Sequence, residues 1–270
     1  MPLLFRALPA ILIFFAAGGS ANAAELSIAE IAARLDSTWI LVAAGLVLLM
    51  QIGFLLLEAG SVRTKNAVNV AQKNLLDFAF AVLAFCAIGF MVSFAPSSLH
   101  LPVGFDKNLL FLNNISAHDA VFFVFHVMFC GTAATIISGA VAERMKLSAY
   151  VVLSVLTAAI IYPVFVQWAW GAARGDNSGA WLANMGFVDF AGSTVVHGTG
   201  GWIALAAVML LGARRGRYDR NGRPIGIPPS SLPWLALGSW MLCVGWFGFN
   251  VMTAGALEAA SGLVAINSLM

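Results

Sequence analysis

The sequence predicts an all-α protein that spans a membrane several times. Of its 270 residues, 61% are hydrophobic and 10% are charged, whereas a soluble domain carries roughly 25% charged residues. The apolar residues collect in uncharged runs of roughly 18 residues or more, enough to cross a hydrocarbon core about 30 Å thick. Basic residues gather in alternate loops. With no water available to the backbone in lipid, such runs must be helices, and the short alternating pattern of barrel strands is absent.

The first residues read as a leader. Arg6 precedes the apolar run Ala10–Ala17, and small residues then lead to Ala21-Asn22-Ala23. This is the charged, apolar and Ala-x-Ala order of a secretory signal peptide over residues 1–23, with cleavage expected after Ala23 and the new N-terminus outside the cytoplasm. The alternative is one short extra helix. Six spans follow, at Trp39–Leu57, Leu75–Ala95, Ala120–Ala142, Leu147–Ala169, Phe190–Leu211 and Leu232–Ala256. A further apolar run from Ala259 to Met270 is too short to cross.

Loop charges give the orientation. Arg63, Lys65 and Lys73 follow the first span, Arg144 and Lys146 the third, and Arg214, Arg215, Arg217, Arg220 and Arg223 the fifth. The opposite side holds Arg34, Lys107 and Arg174. The excess marks the cytoplasmic side and agrees with an external N-terminus, in a multi-pass protein of the cell's inner (plasma) membrane. The loop from Arg214 to Ser231 carries the turn signals Asn221-Gly222 and Pro228-Pro229. Its arginines either attract anionic headgroups or a cytoplasmic regulatory protein, or serve topology alone.

Few polar groups lie at membrane depth, and each is a candidate for a conduction path. His197 stands eight residues into the fifth run with Gly192, Gly198, Gly200 and Gly201 around it, small residues that let helices approach closely in lipid. It faces either a cavity or a hydrogen-bonding neighbour helix. Asp189 opens the same run: its carboxylate can cap the helix, and near a pore mouth it would also stabilise a cation. Phe125 and Phe129 are four apart and share a face. Trp246, Phe249, Asn250 and Thr253 fall at helical spacing on the sixth span, and Trp168 and Trp170 end the fourth. Clustered at one mouth, such rings attract small cations; taken singly, each is as well explained by packing or an interfacial belt.

His126 is a second histidine at depth. Glu58, Asp77 and Asp119 lie near span ends, where they are expected to reach water or to pair with Arg63 or Lys73. Cys86, Cys130 and Cys243 sit in apolar runs without ligand spacing, so packing roles are expected and no metal site or cofactor is indicated. A net charge of +2 gives no sign of nucleic-acid binding. No His-Glu-x-x-His or serine-nucleophile signature suggests an enzyme.

Several blocks, in order, resemble the ammonium transporter (Amt/Mep/Rh) family. They are Leu57-Glu-Ala-Gly-Ser-Val-Arg-Thr-Lys-Asn66, Ser138-Gly-Ala-Val-Ala-Glu-Arg144, the stretch from Asp189 to Arg214, and Gly245-Trp-Phe-Gly-Phe-Asn250. The resemblance implies an eleven-helix fold of two inverted halves, assembled as a homotrimer, with a path at the membrane midplane. Residues 24–270 are similar to its N-terminal part, about six helices and the start of a seventh. This is an incomplete inverted repeat, from a shortened gene product or a longer chain.

By the same resemblance, Phe125, Trp170 and Thr253 form an outer recruitment site for ammonium, Phe129 and Phe249 a stacked gate, and His197 the first of two pore histidines. Asp189 lies beneath the recruitment site. His126 departs from the family, which commonly has glutamine there, and the second pore histidine belongs to a tenth helix that this sequence does not reach. The activity implied is ammonium transport: the cation sheds its proton at the outer mouth and ammonia crosses the apolar lumen, with His197 as a hydrogen-bonding site that helps relay the proton. Two rivals are an ammonium-sensing domain of a signalling protein and a membrane cytochrome with His126 and His197 as haem ligands.

Overall fold

The computed structural model describes residues 27–97, 103–174, 179–251 and 260–270. The expected signal peptide and Thr253 lie outside the described residues. The chain divides into two units, Met1–Asp36 and Ser37–Met270. In the first, the start of helix α1 (Ile28–Ser61) is fixed by a capping box. The Ser27 hydroxyl accepts from the Glu30 N–H at 3.2 Å, and the Glu30 carboxylate accepts from the Ser27 N–H at 2.9 Å.

The remaining long helices are α2 (Thr64–Phe94), α3 (Ala117–Val141), α4 (Leu147–Arg174), α5 (Ser193–Leu211) and α6 (Leu232–Asn250), followed by the shorter α7 (Ala260–Leu269). Helices α1 to α6 are long and apolar enough to cross a membrane, in agreement with the six expected spans. The structure moves their ends. Helix α1 begins at Ile28 rather than Trp39, and α2 at Thr64 rather than Leu75, because the backbone stays helical through charged residues that end an apolar run.

Helix α3 is the most buried of the six and packs between α2 and α5, while α2 packs on α4. On α6, Gly238, Gly245 and Gly248 form a seam against α1. A Cβ at Gly238 would stand 2.5 Å from the Leu57 nitrogen, and one at Gly248 2.6 Å from the Ala43 carbonyl oxygen. Close backbone approach of this kind holds helices together where lipid removes the hydrophobic drive. Three π-helical turns interrupt the regular ladder, at Phe85–Gly89 in α2, Thr157–Ile161 in α4 and Ser193–Gly198 at the start of α5.

Of the outcomes expected for Glu58 and Asp77, water is excluded, whereas buried Lys73 stands near enough to attract both. Both are buried, and their partners come from other helices. Glu58 accepts from Ser138 at 2.7 Å and Asn74 at 2.9 Å, and Asp77 accepts from the Tyr150 hydroxyl at 2.6 Å. Lys73 is buried too, with its ammonium 5.0 Å from the centre of the Tyr150 ring. Arg63 instead pairs with Glu143 at 2.8 Å, and Asp119 pairs with Arg174 at the opposite end of α3, also at 2.8 Å. Of the cysteines, Cys130 is buried as expected, whereas Cys243 lies on an exposed flank of α6.

Glu143 organises the arginine-bearing end of the bundle. It occupies the left-handed region at φ 64°, a conformation that costs a non-glycine residue about 1–2 kcal/mol. Its carboxylate is closed from solvent and receives Arg63, Asn66 and, at 3.5 Å, Arg214. Burial pushes this carboxyl up, but the bonds from the Arg63 side chain, Asn66 and the Arg63 N–H outweigh it and hold it below the usual carboxylate value.

Candidate functional site

The site grows from the start of α5. Gly192 takes φ +99°, where a Cβ would press on Val196 at 2.5 Å, so only glycine turns the chain comfortably into the π-helical turn. A helix start leaves several N–H groups without partners, and here Asp189 supplies them. One carboxylate oxygen accepts from the Gly192 and Ser193 N–H groups at 2.8 and 3.0 Å, the other from Thr194 and Val195 at 2.8 and 2.7 Å. The Asp189 carbonyl accepts the Trp170 indole N–H at 2.8 Å. Of the two roles left open by the sequence, the capping role is directly visible.

His197 lies in that turn. Its Nδ1 lies 3.0 Å from the Gly192 carbonyl oxygen. A carbonyl only accepts, so Nδ1 carries a proton, and in the tautomer protonated there alone Nε2 is an acceptor. Among the described residues, Nε2 is buried without a hydrogen-bond partner. Gly200, one turn onward, brings α5 against α3: a Cβ there would stand 2.8 Å from the Ala133 carbonyl oxygen. That contact fixes the height of His197 relative to Phe129, one turn earlier on α3.

Two phenylalanines complete the centre. Phe129 from α3 and Phe249 from α6 stack with ring centroids 4.0 Å apart and planes 20° apart. Both rings are buried. Phe249 lies 5.3 Å from the His197 ring, and Trp246, one turn earlier, stacks on the same imidazole at 5.5 Å.

The stack stands between two clefts. The first, about 590 Å³, is bordered by Phe125, His126, Phe129, Trp170 and Asp189. The second, about 500 Å³, is bordered by His197, Trp246, Phe249 and Asn250, with Asn267 and Ser268 of α7. Phe190 touches both. The structure thus brings Phe125, Trp170, Phe129 and Asp189 together on one side, and Phe249 and His197 on the other.

His126 joins the first cleft, enclosed by Phe94, Phe122, Phe125, Phe129 and Trp170 at ring distances of 4.2 to 6.2 Å. It therefore shares no space with His197, and the geometry does not suit a haem between them. Among the described residues no group of three or more His, Cys, Asp or Glu side chains could hold a metal ion. Sequence reasoning missed Phe190, whose position ahead of α5 carries no periodic signal. It also missed Phe122, which lies one helical turn before His126.

Residues 38–270 match the Ammonium Transporter Family. The chain belongs to that family. Ammonium transporter Amt2 of Archaeoglobus fulgidus is 40% identical over 96% of this chain and 56% of its own length. Ammonium transporter Amt1 of Haloferax mediterranei is 40% identical over 86% of this chain and 45% of its own length. Among solved structures, one titled Sensor Amt Protein superposes with a TM-score of 0.84 and 38% identity, over 89% of this chain and 60% of that one. Mep2 of Candida albicans gives 0.74 and 28%, over 87% and 51%. The chain spans about half the length of the curated relatives it matches. The ammonium-transporter helical bundle expected from the sequence is therefore its fold, and it is a multi-pass membrane protein.

Proposed function

We propose that this chain supplies the outer mouth, the gate and the first pore site of a path for ammonium across the membrane, completed within a longer transporter. The observation that carries the reading is the Phe129–Phe249 stack, set between an aromatic cleft and a cleft holding an imidazole with a free acceptor. An ion cannot enter such an apolar constriction unpaired. In the first cleft, Phe125 and Trp170 attract ammonium through their ring faces at about 0.5–2 kcal/mol per contact; the family resemblance alone adds Thr253, outside the described residues, as a further polar partner.

Asp189 lends its charge from behind. Its oxygens are spent on N–H groups, so it acts on the cation by field rather than as a ligand. Ammonium hands its proton at the stack to water of the outer cleft, which returns to the outside as hydronium, and ammonia, small and uncharged, passes and donates to Nε2 of His197. Potassium has no proton to lose and stays out. The working protein is a homotrimer of the plasma membrane, made with a cleaved leader over residues 1–23 and open to a cytoplasmic regulatory protein. Transport moves a solute without converting it, so no enzymatic step is assigned.

The test is methylammonium uptake by cells expressing the protein at full length. Substitution of His197→Ala is expected to abolish most uptake or admit potassium; unchanged uptake with unchanged selectivity removes His197 from the path. A second reading, an ammonium-sensing domain, is favoured by the likeness to the Sensor Amt Protein. It requires ammonium binding with no net uptake, which the same assay beside a binding titration would reveal.

A further inference from the structure

At the other end of α3 from the aromatic cleft, the chain builds a second polar site that the transport path does not use. The distance is about 28 Å along the helix from Phe125 to Arg144, at roughly 1.5 Å per residue. A cleft of about 360 Å³ is bordered by Arg144, Ala213, Arg214, Arg217, Tyr218 and Ile227. Its three guanidinium groups come from two segments, the turn after α3 and the loop after α5.

The loop is held in place. Ser231 N–H donates to the Gly60 carbonyl at 3.2 Å, Arg63 donates to the Arg215 carbonyl at 3.2 Å, and Ile225 N–H donates to the Arg217 carbonyl at 2.7 Å. The Asp219 carboxylate accepts the Asn221 and Arg223 N–H groups on one oxygen, each at 2.8 Å, and among the described residues it forms no ion pair with the arginines.

The charge around this cleft is unbalanced. Arg214 shares Glu143 with Arg63. Among the described residues, Arg144 and Arg217 have no carboxylate partner. Arg144 donates to the Gly212 carbonyl at 2.7 Å and to the Ala140 carbonyl, and its buried Nε has no hydrogen-bond partner among the described residues. Arg217 donates to the Ile225 carbonyl at 2.8 Å. Carbonyl oxygens hold these forks in position without cancelling their charge. Like charges gathered around one concavity repel, and a bound anion relieves that repulsion while accepting paired N–H bonds.

We infer that the cleft of Arg144, Arg214 and Arg217 binds a phosphate oxyanion, carried either by an anionic lipid headgroup of the adjoining leaflet or by a soluble phosphate compound. Both sources present the same tetrahedral oxygens. Tyr218 also borders the cleft. The inference does not depend on the transport reading, since none of these residues borders the aromatic clefts.

The experiment titrates the purified full chain in a neutral detergent by calorimetry. One arm uses inorganic phosphate, one dihexanoyl phosphatidic acid, and one dihexanoyl phosphatidylcholine as a zwitterionic control. Arg217→Gln is expected to weaken binding about tenfold, the effect of losing one charge-assisted contact. Arg220→Gln removes the same charge from the same loop outside the cleft and is expected to change binding less than about twofold.

Binding of phosphatidic acid alone identifies a lipid headgroup, and comparable binding of inorganic phosphate identifies a soluble source. No binding in either arm, or equal weakening by the two variants, overturns the inference. Should Arg217→Gln not fold, Arg217→Lys replaces it: the charge stays but the planar fork is lost. Unweakened binding would then count against the site.

Discussion

Trp170 donates its indole N–H to the backbone carbonyl of Asp189 at 2.8 Å. The residue that caps α5 with its side chain therefore also anchors the wall of the aromatic cleft with its backbone. Asp189→Ala should release the N–H groups of residues 192 to 195 together and lower stability by about 2 kcal/mol, the upper range for a lost cap. Asp189→Asn keeps one acceptor oxygen and should fall between. Melting of the purified protein checks the order; an alanine variant as stable as the parent would remove the cap from the account.

Phe129→Leu keeps an apolar side chain while ending the stack on Phe249. Ring pairs of this kind contribute about 0.5–1.5 kcal/mol beyond burial, so the melting temperature should fall by only about 2–4 °C. Methylammonium uptake by the full-length protein should fall far more than that loss of stability explains. An unaltered uptake rate would argue that the stack plays no part in passage.

Two adjacent glycines on α5 should behave oppositely. A Cβ at Gly200 meets the Ala133 carbonyl oxygen at 2.8 Å and Ile136 at 3.0 Å, whereas one at Gly201 meets nothing within 4 Å. Gly200→Ala should cost about 1–3 kcal/mol, as overpacking does, and should push His197 away from the Phe249 ring. Gly201→Ala should be neutral or slightly stabilising through helix propensity. Comparing the two melting curves is a direct check on the α3–α5 contact.

Glu143 gives a pH-dependent prediction. Its carboxyl is held below the ordinary value in the folded protein, so the folded state favours the ionised form. The stabilisation is fully present above the unfolded value, about 4.3, and is lost as pH falls through the lower folded value. The melting temperature of the parent should therefore exceed that of Glu143→Gln at neutral pH, and the gap should narrow below about pH 4. A gap that persists unchanged into strong acid would mean that the carboxylate charge is not what holds Arg63, Asn66 and Arg214.

The spans were legible because lipid imposes one demand on every residue in them. The clustered rings were partly legible, since Phe125 and Phe129 on α3 and Trp246 and Phe249 on α6 follow helical spacing. What escaped was anything built between distant segments. Glu58 and Asp77 look like interfacial acids until Ser138 and Tyr150 arrive from positions 80 and 73 residues away. The left-handed conformation of Glu143 and the π-helical turns leave no mark in hydropathy, because they are settled by packing. That Asp189 caps α5 was readable, but not that it satisfies four N–H groups, because that number depends on the turn that Gly192 makes.

One carbonyl oxygen, that of Gly192, takes the backbone N–H of Val196, the backbone N–H of His197 and Nδ1 of the same histidine, all within 3.0 Å. The imidazole is thereby tethered at its back and can neither swing nor change tautomer without breaking that tether. A proton delivered to Nε2 could leave only by the way it came. The ring is a berth with a single entrance, and any onward passage of charge must be taken up by a group standing on the same side.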